Sequence, residues 1–176
     1  MKAVILSDTH GQLDGARAVL TAFAEANTVF FLGDLVEDGK KLQEEFPQKK
    51  FYLVCGNNDW GQPAPMEQDV LWGGRKFSLT HGHPFHLHSG LLRLSLWGRQ
   101  RAADVVLFGH THCPCLEREG TLLFCNPGSI SEPRSSKEPT FAVAEVEQGE
   151  LTITCYTLWE DSQGEKNFTL FARAKG

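Results

Sequence analysis

The feature that most restricts the fold is a series of short apolar runs separated by helix-patterned segments in the first third of the chain. Residues 2–6, 28–32 and 51–55 are apolar runs of strand length. Between the first two lies 14–26, an Ala-rich segment with Ala18, Leu20 and Phe23 at roughly helical spacing. Between the second and third lies 37–46, a charged amphipathic segment stopped near Pro47. Strands and helices in this alternation predict a parallel sheet with crossover helices. After Asn57 the pattern changes. Residues 69–80 read as a hairpin turning at Gly73-Gly74, 89–103 as a helix with an Arg-rich face, and 105–108 as a buried strand. Residues 116–125 and 141–158 read as further hairpins, turning at Glu119-Gly120 and Gln148-Gly149, and 167–173 as a last strand. Two packed mixed sheets with helices outside accommodate an α/β beginning and a β-rich tail. With 176 residues, the chain reads as one domain spanning 1–176.

Five polar clusters follow the apolar runs: Asp8-Thr9-His10, Gly33-Asp34, Gly56-Asn57-Asn58-Asp59, His81-Gly82-His83 and Gly109-His110-Thr111-His112. In open α/β sheets, ligands bind outside the carboxyl ends of the strands, so parallel strands would bring all five segments to one crevice. Carboxylate, amide and imidazole donors suit Mn²⁺, Fe and Zn²⁺. In extended backbone, Asp8 and His10, and likewise His110 and His112, would point to the same side as i, i+2 pairs. Taken singly, the clusters say little. A lone Asp-x-His is more often strand-end capping, and a lone Gly-Asp is usually a turn. Their order carries the argument, together with the placement of all seven histidines in or near them.

The formal net charge of −5 speaks against a protein that grips long nucleic acid. The opening apolar run is far too short for a signal segment and no run approaches a membrane span, so a cytoplasmic protein is expected. Five cysteines, an odd number, argue against a disulfide framework, and Cys113-Pro114-Cys115 reads as two ordinary cysteines at a hairpin start. The loop 126–139, rich in Pro, Ser and Gly, reads either as a surface connection or as a loop held near a site.

The five clusters, in order, resemble the motif series of the calcineurin-like metallophosphoesterase superfamily. The Gly109-His110-Thr111-His112 segment followed by Asn126-Pro127-Gly128-Ser129 is similar to its small single-domain bacterial and archaeal phosphodiesterases. The resemblance covers residues 1 to 158. It implies a four-layer α/β/β/α sandwich and a site for two divalent metal ions, with manganese favoured and iron, nickel or zinc compatible. Asp8, His10 and His112 would hold one ion, Asn57, His81 and His110 the other, and Asp34 would bridge them. Only Asp8 and Asp34 of the seven are charged, so a loaded site stays positive and suits an anionic phosphate ester. A hydroxide bridging the metals would be the nucleophile.

Many superfamily members carry a histidine, serving as a general acid, where this chain has Asn58. An amide donates a hydrogen bond but delivers no proton at neutral pH. His83 is the nearest replacement in sequence, with His86 and His88 read as surface residues. Asp59 would anchor its loop or orient a ligand histidine. The resemblance sets residues 126–129 beside the site, where their N–H groups would face an anion and Ser129 is a candidate for binding phosphate; Arg134 reads either as a solvated loop charge or as a bidentate partner of a phosphate oxygen. The expected partner is a small phosphate ester; a homo-oligomer is compatible with the sequence. The competing readings are a non-catalytic protein-binding scaffold on the same fold and a nuclease. All seven metal positions are filled here, against the scaffold; the acidic balance counts against the nuclease.

Overall fold

Two-residue periodicity sorts the strand side chains into layers. In the computed structural model, which describes residues 1–176, the chain begins β1 (Lys2–Leu6), α1 (Asp14–Ala22), β2 (Thr28–Phe31), α2 (Val36–Glu45) and β3 (Lys50–Leu53). It continues through β4 (Glu67–Trp72), β5 (Arg75–Thr80), α3 (Leu92–Gln100), β6 (Val105–Leu107), β7 (Cys115–Glu119) and β8 (Leu122–Asn126). It ends with β9 (Thr140–Glu147), β10 (Glu150–Glu160) and β11 (Lys166–Lys175).

A six-stranded sheet has the order β11-β10-β9-β1-β2-β3, with β1, β2 and β3 parallel and Ile5 paired to Phe30. A five-stranded sheet has the order β4-β5-β6-β8-β7, with β5, β6 and β8 parallel. Ala3 and Ile5 of β1 face the second sheet, in a core of 18 buried residues that includes Phe77, Val105, Leu107 and Leu123. Phe30 stacks on Phe77 across this interface, ring centroids 5.3 Å apart. Val4 and Leu6 face the other way, onto Ala16, Val19 and Leu20 of α1 and Leu42 of α2. On the far side, Leu94 of α3 packs on Val106, Phe108, Leu122 and Phe124. The result is the expected four-layer sandwich.

The deviations from the sequence reading have local causes. Helix α1 stops at Ala22, four residues early, because the buried Lys49 ammonium takes the carbonyls of Phe23, Ala24 and Ala26 at 2.9, 3.2 and 2.6 Å. Helix α3 is shorter than 89–103, and two single 3₁₀ turns, His83–Phe85 and Leu87–Ser89, precede it. Residues 127–139 hold no helix or strand, yet 127–130 are buried, so the first part of that loop is not a surface connection.

Candidate metal centre

The loops leaving the parallel strands are tight turns. Asp8, His10, Asp34, His110 and His112 have φ of 57°, 44°, 46°, 70° and 57°. For non-glycine residues such backbone costs about 1–3 kcal/mol each and persists only where the surroundings impose it. The five side chains are thus kept where glycine would be easier, which points to a use for the side chains. The expectation that the Asp8/His10 and His110/His112 pairs lie in extended backbone is corrected: left-handed turns, not strand alternation, aim them.

Three buried polar side chains hold the turns. Asp38 Oδ2 accepts from Thr9 Oγ1 at 2.8 Å and from Gly11 N–H at 2.7 Å. Asp59 accepts from Val36 N–H at 2.7 Å and from Gly56 N–H at 2.8 Å, tying the loops after β2 and β3 together. Asn126 donates to Gly109 O at 2.9 Å and Thr111 Oγ1 at 3.0 Å, and accepts from Gly128 N–H at 2.8 Å. The approach is close enough to require glycine at two points. A Cβ on Gly56 would lie 2.6 Å from Asp34 Oδ1, and one on Gly109 would lie 2.0 Å from Ser7 Oγ. Asp38 and Asn126 had no part as braces in the sequence reading. The signal available was a carboxylate beside Gly39 in the first turn of a helix, and an amide ending an apolar strand.

Asp8 is fully buried. Its Oδ1 lies 3.3 Å from His112 Nε2, 3.9 Å from His81 Nε2 and 4.0 Å from His10 Nε2. Asp34 Oδ2 is 3.8 Å from His10 Nε2, and Asn57 Oδ1 is 3.1 Å from His81 Nε2. Two sets of donor atoms, Asp8–His10–His112 and Asp8–Asp34–His81, each fall within 4.8 Å of one another. Asp8 is therefore shared between them. The His110 ring stands at the edge of the cluster, its centroid 5.2 Å from that of His81, while the His110 backbone N–H donates to Asp8 Oδ2 at 3.1 Å.

The protonation pattern fits divalent cations. His81 Nδ1 lies 2.8 Å from Leu32 O and His112 Nδ1 lies 2.6 Å from Glu132 O. A carbonyl only accepts, so each Nδ1 carries the proton and each Nε2 presents a lone pair. His81 Nε2 then faces the Asn57 oxygen, and His112 Nε2 faces His10 Nε2 at 3.1 Å. Asp8 Oδ1, buried in their midst, accepts no hydrogen bond. A His81 Nε2 lone pair set against the Asn57 oxygen, beside an unpaired buried carboxylate oxygen, calls for a cation between them. The same preference shows in titration. Burial works to lower the His112 imidazole, but the Asp8 carboxylate 3.3 Å away favours its positive charge and raises it above the usual value in the metal-free protein. Burial works to raise the Asp8 carboxyl, but His112 and His81 hold it below. Burial, with His81 nearby, pushes His110 down to about 4, which leaves it neutral and able to ligate at pH 7.

The other singled-out residues divide. Asn58 donates from its backbone N–H to Asp34 Oδ1 at 2.9 Å and from its amide to Oδ2 at 2.6 Å. His83 is half-buried, its ring 5.6 Å from that of His81 and its Nδ1 unpartnered. Burial and His81 lower its pKa, favouring the neutral form. His86 and His88 are exposed, as expected. Asp59 anchors loops. Arg134 is exposed, and its charge reaches His112. Ser129 is corrected: it is fully buried, and its hydroxyl donates to Asp8 O at 2.7 Å while accepting from Glu132 N–H at 2.7 Å, so none of it is left for a substrate. The N–H groups around it are spent likewise, Gly128 on Asn126 and Ile130 on Ser7 O at 3.2 Å. The segment braces the site and forms no anion cradle. Cys113 and Cys115 are free thiols.

Comparison with known proteins agrees with this geometry. Residues 1–149 match the calcineurin-like phosphoesterase superfamily domain. Probable metallophosphoesterase YsnB of Bacillus subtilis is 30% identical over 158 residues, 89% of this chain and 90% of YsnB. Phosphodiesterase YfcE of Escherichia coli is 32% identical over 167 residues, 81% of this chain and 86% of YfcE. Among solved structures, Entamoeba histolytica Vps29 complexed with Zn²⁺ superposes with a TM-score of 0.78 at 25% identity, covering 99% of both chains. With the superfamily domain spanning most of its length, this chain belongs to the calcineurin-like phosphoesterases and is a metal-dependent hydrolase of phosphoester bonds.

Proposed function

We propose that the protein hydrolyses small phosphodiesters with two divalent metal ions held by Asp8, His10, Asp34, Asn57, His81, His110 and His112. The observation that carries this is the unpaired Asp8 Oδ1, buried among imidazole lone pairs at the ends of strands from both sheets. The preference for diesters rests on relatives named phosphodiesterase, YfcE among them. Manganese is the favoured ion; iron, nickel and zinc suit the same donors, and a Vps29 neighbour is described with zinc. No helix is long and apolar enough to cross a membrane, and we place the activity in the cytoplasm, on one domain spanning the chain.

Bound divalent ions supply an acidified water as nucleophile and neutralise charge on the phosphoryl oxygens. The chain's own residues do the rest. Asp34 would bridge the two positions, its carboxylate fixed by Asn58 from one side. Arg134, exposed beside His112, binds a phosphoryl oxygen. Proton delivery to the leaving oxygen falls to His83, the uncommitted imidazole beside His81; its lowered pKa means that the protonated acid gains population as the pH falls. A protein scaffold on this fold would have no need of strained backbone at five ligand positions.

The test is a matrix of metals against substrates on metal-stripped protein, with bis(p-nitrophenyl) phosphate as diester and p-nitrophenyl phosphate as monoester. Turnover restored by manganese and faster on the diester is expected. Turnover of neither ester with any of the four metals would refute the reading.

A further inference from the structure

Beside the metal cluster, on the side of Asn57 and His83, lies a cleft of about 330 Å³. That volume is at the lower end of small-ligand sites. Asn57 and His83 line it together with Trp60 and Met66. Trp60 is 89% exposed and Met66 47% exposed. An indole left in water is unusual for a residue that buries roughly 150–250 Å² when it packs. Its stalk is fixed. Asp59, the preceding residue, holds Gly56 and Val36, and the loop closes at its base where Cys55 N–H meets Pro65 O at 2.8 Å. Both Asp59 carboxylate oxygens are spent in those bonds, so the carboxylate does not compete for a ligand in the cleft.

On this basis, and resting on the phosphoester reading above, we infer that Trp60, with Met66, forms the subsite that selects phosphate esters of a planar aromatic group. Trp60 is three residues beyond Asn57, so one loop presents both a metal-cluster donor and an aromatic platform. A phosphate drawn to the metal end leaves its organic substituent over the indole. A flat π-system gains stacking there, with a soft thioether contact from Met66, whereas an alkyl group gains little. The aromatic group is either an aryl ring joined directly to phosphate or a nucleobase joined through a sugar. The same platform serves both, and the probes below separate them.

The experiment is calorimetric titration of manganese-loaded wild type, Trp60→Ala and Trp60→Phe with inorganic phosphate, methyl phosphate, phenyl phosphate and adenosine 5′-monophosphate. Wild type is expected to bind at least one aromatic ester more tightly than methyl phosphate; which one identifies the source. Trp60→Ala should weaken that ester roughly 5- to 100-fold, the range for loss of one stacking partner. Its affinity for inorganic phosphate should not change, and Trp60→Phe should retain most of the preference. Because the indole is exposed, neither substitution removes core packing. Equal affinity for methyl and aromatic esters in wild type, or an unchanged preference in Trp60→Ala, overturns the subsite alone. Failure of wild type to bind phosphate in any form overturns the phosphoester reading and the subsite with it.

Discussion

Asn58 places two donors on Asp34, its backbone N–H 2.9 Å from Oδ1 and its side-chain amide 2.6 Å from Oδ2. The residue standing where many superfamily members have an acid histidine here fixes the proposed bridging carboxylate. Asn58→Ala should therefore weaken metal binding by about 10- to 100-fold, the usual effect of removing a partner that orients a ligand. Metal titration followed by calorimetry is the check. Undiminished affinity, with a rate loss confined to alkyl esters, would instead place Asn58 at the leaving group.

For His83 the discriminating comparison is between leaving groups. His83→Ala should cost about 10²–10⁴-fold on diesters with alkyl leaving groups, the usual contribution of general acid catalysis. It should cost far less on nitrophenyl diesters, whose leaving group needs no proton. Equal losses on both would mark His83 as structural.

Asp38 never approaches the reacting atoms, yet it carries the turn that presents His10. Removing its carboxylate in Asp38→Ala leaves Thr9 Oγ1 and Gly11 N–H without their acceptor. Each unsatisfied group costs about 1–3 kcal/mol if buried. Thermal unfolding of the metal-free variant should show the loss, and metal content after dialysis should fall. An unchanged melting temperature with full metal content would contradict a bracing role.

Chelation should empty the centre without unfolding the chain. Asp38, Asp59 and Asn126 hold the ligand-bearing turns by hydrogen bonds within the protein. The far-UV circular dichroism of metal-stripped protein should match that of loaded protein. Restored metal should stabilise the fold by mass action, by about 2.7 kcal/mol at a hundredfold excess over Kd, and the melting temperature should rise accordingly. Loss of secondary structure on chelation would show that the metals, not these braces, build the turns.

The layers were legible in the sequence because strand-length apolar runs alternate there with helix-patterned segments: Ala3, Val4, Ile5 and Leu6 form one continuous apolar run, and both of its faces are buried. The hairpin turns at Gly73-Gly74 and Gln148-Gly149 were legible because their glycines adopt positive φ. The convergence of Asp8, Asp34, Asn57, His81 and His112 followed from strand ends. Ser129 was misassigned because a motif's place in the chain does not say which way a hydroxyl points. Here the close packing of residues 126–130 against Asp8 turns it inward. The end of α1 was misplaced because its cap comes from Lys49, more than twenty residues away. Such long-range hydrogen bonds have no local signature.

The most direct measurement is metal stoichiometry set beside diester turnover in wild type and Asp34→Asn. Asp34 is proposed to serve both metal positions, and it sits in a strained turn, clamped by Asn58 and 3.8 Å from His10. Wild type reconstituted with manganese should carry two ions per chain. Asp34→Asn should retain fewer than two, and turnover should fall with them. Asp34→Asn holding both ions at normal turnover would contradict the account, as would full wild-type turnover with no metal bound.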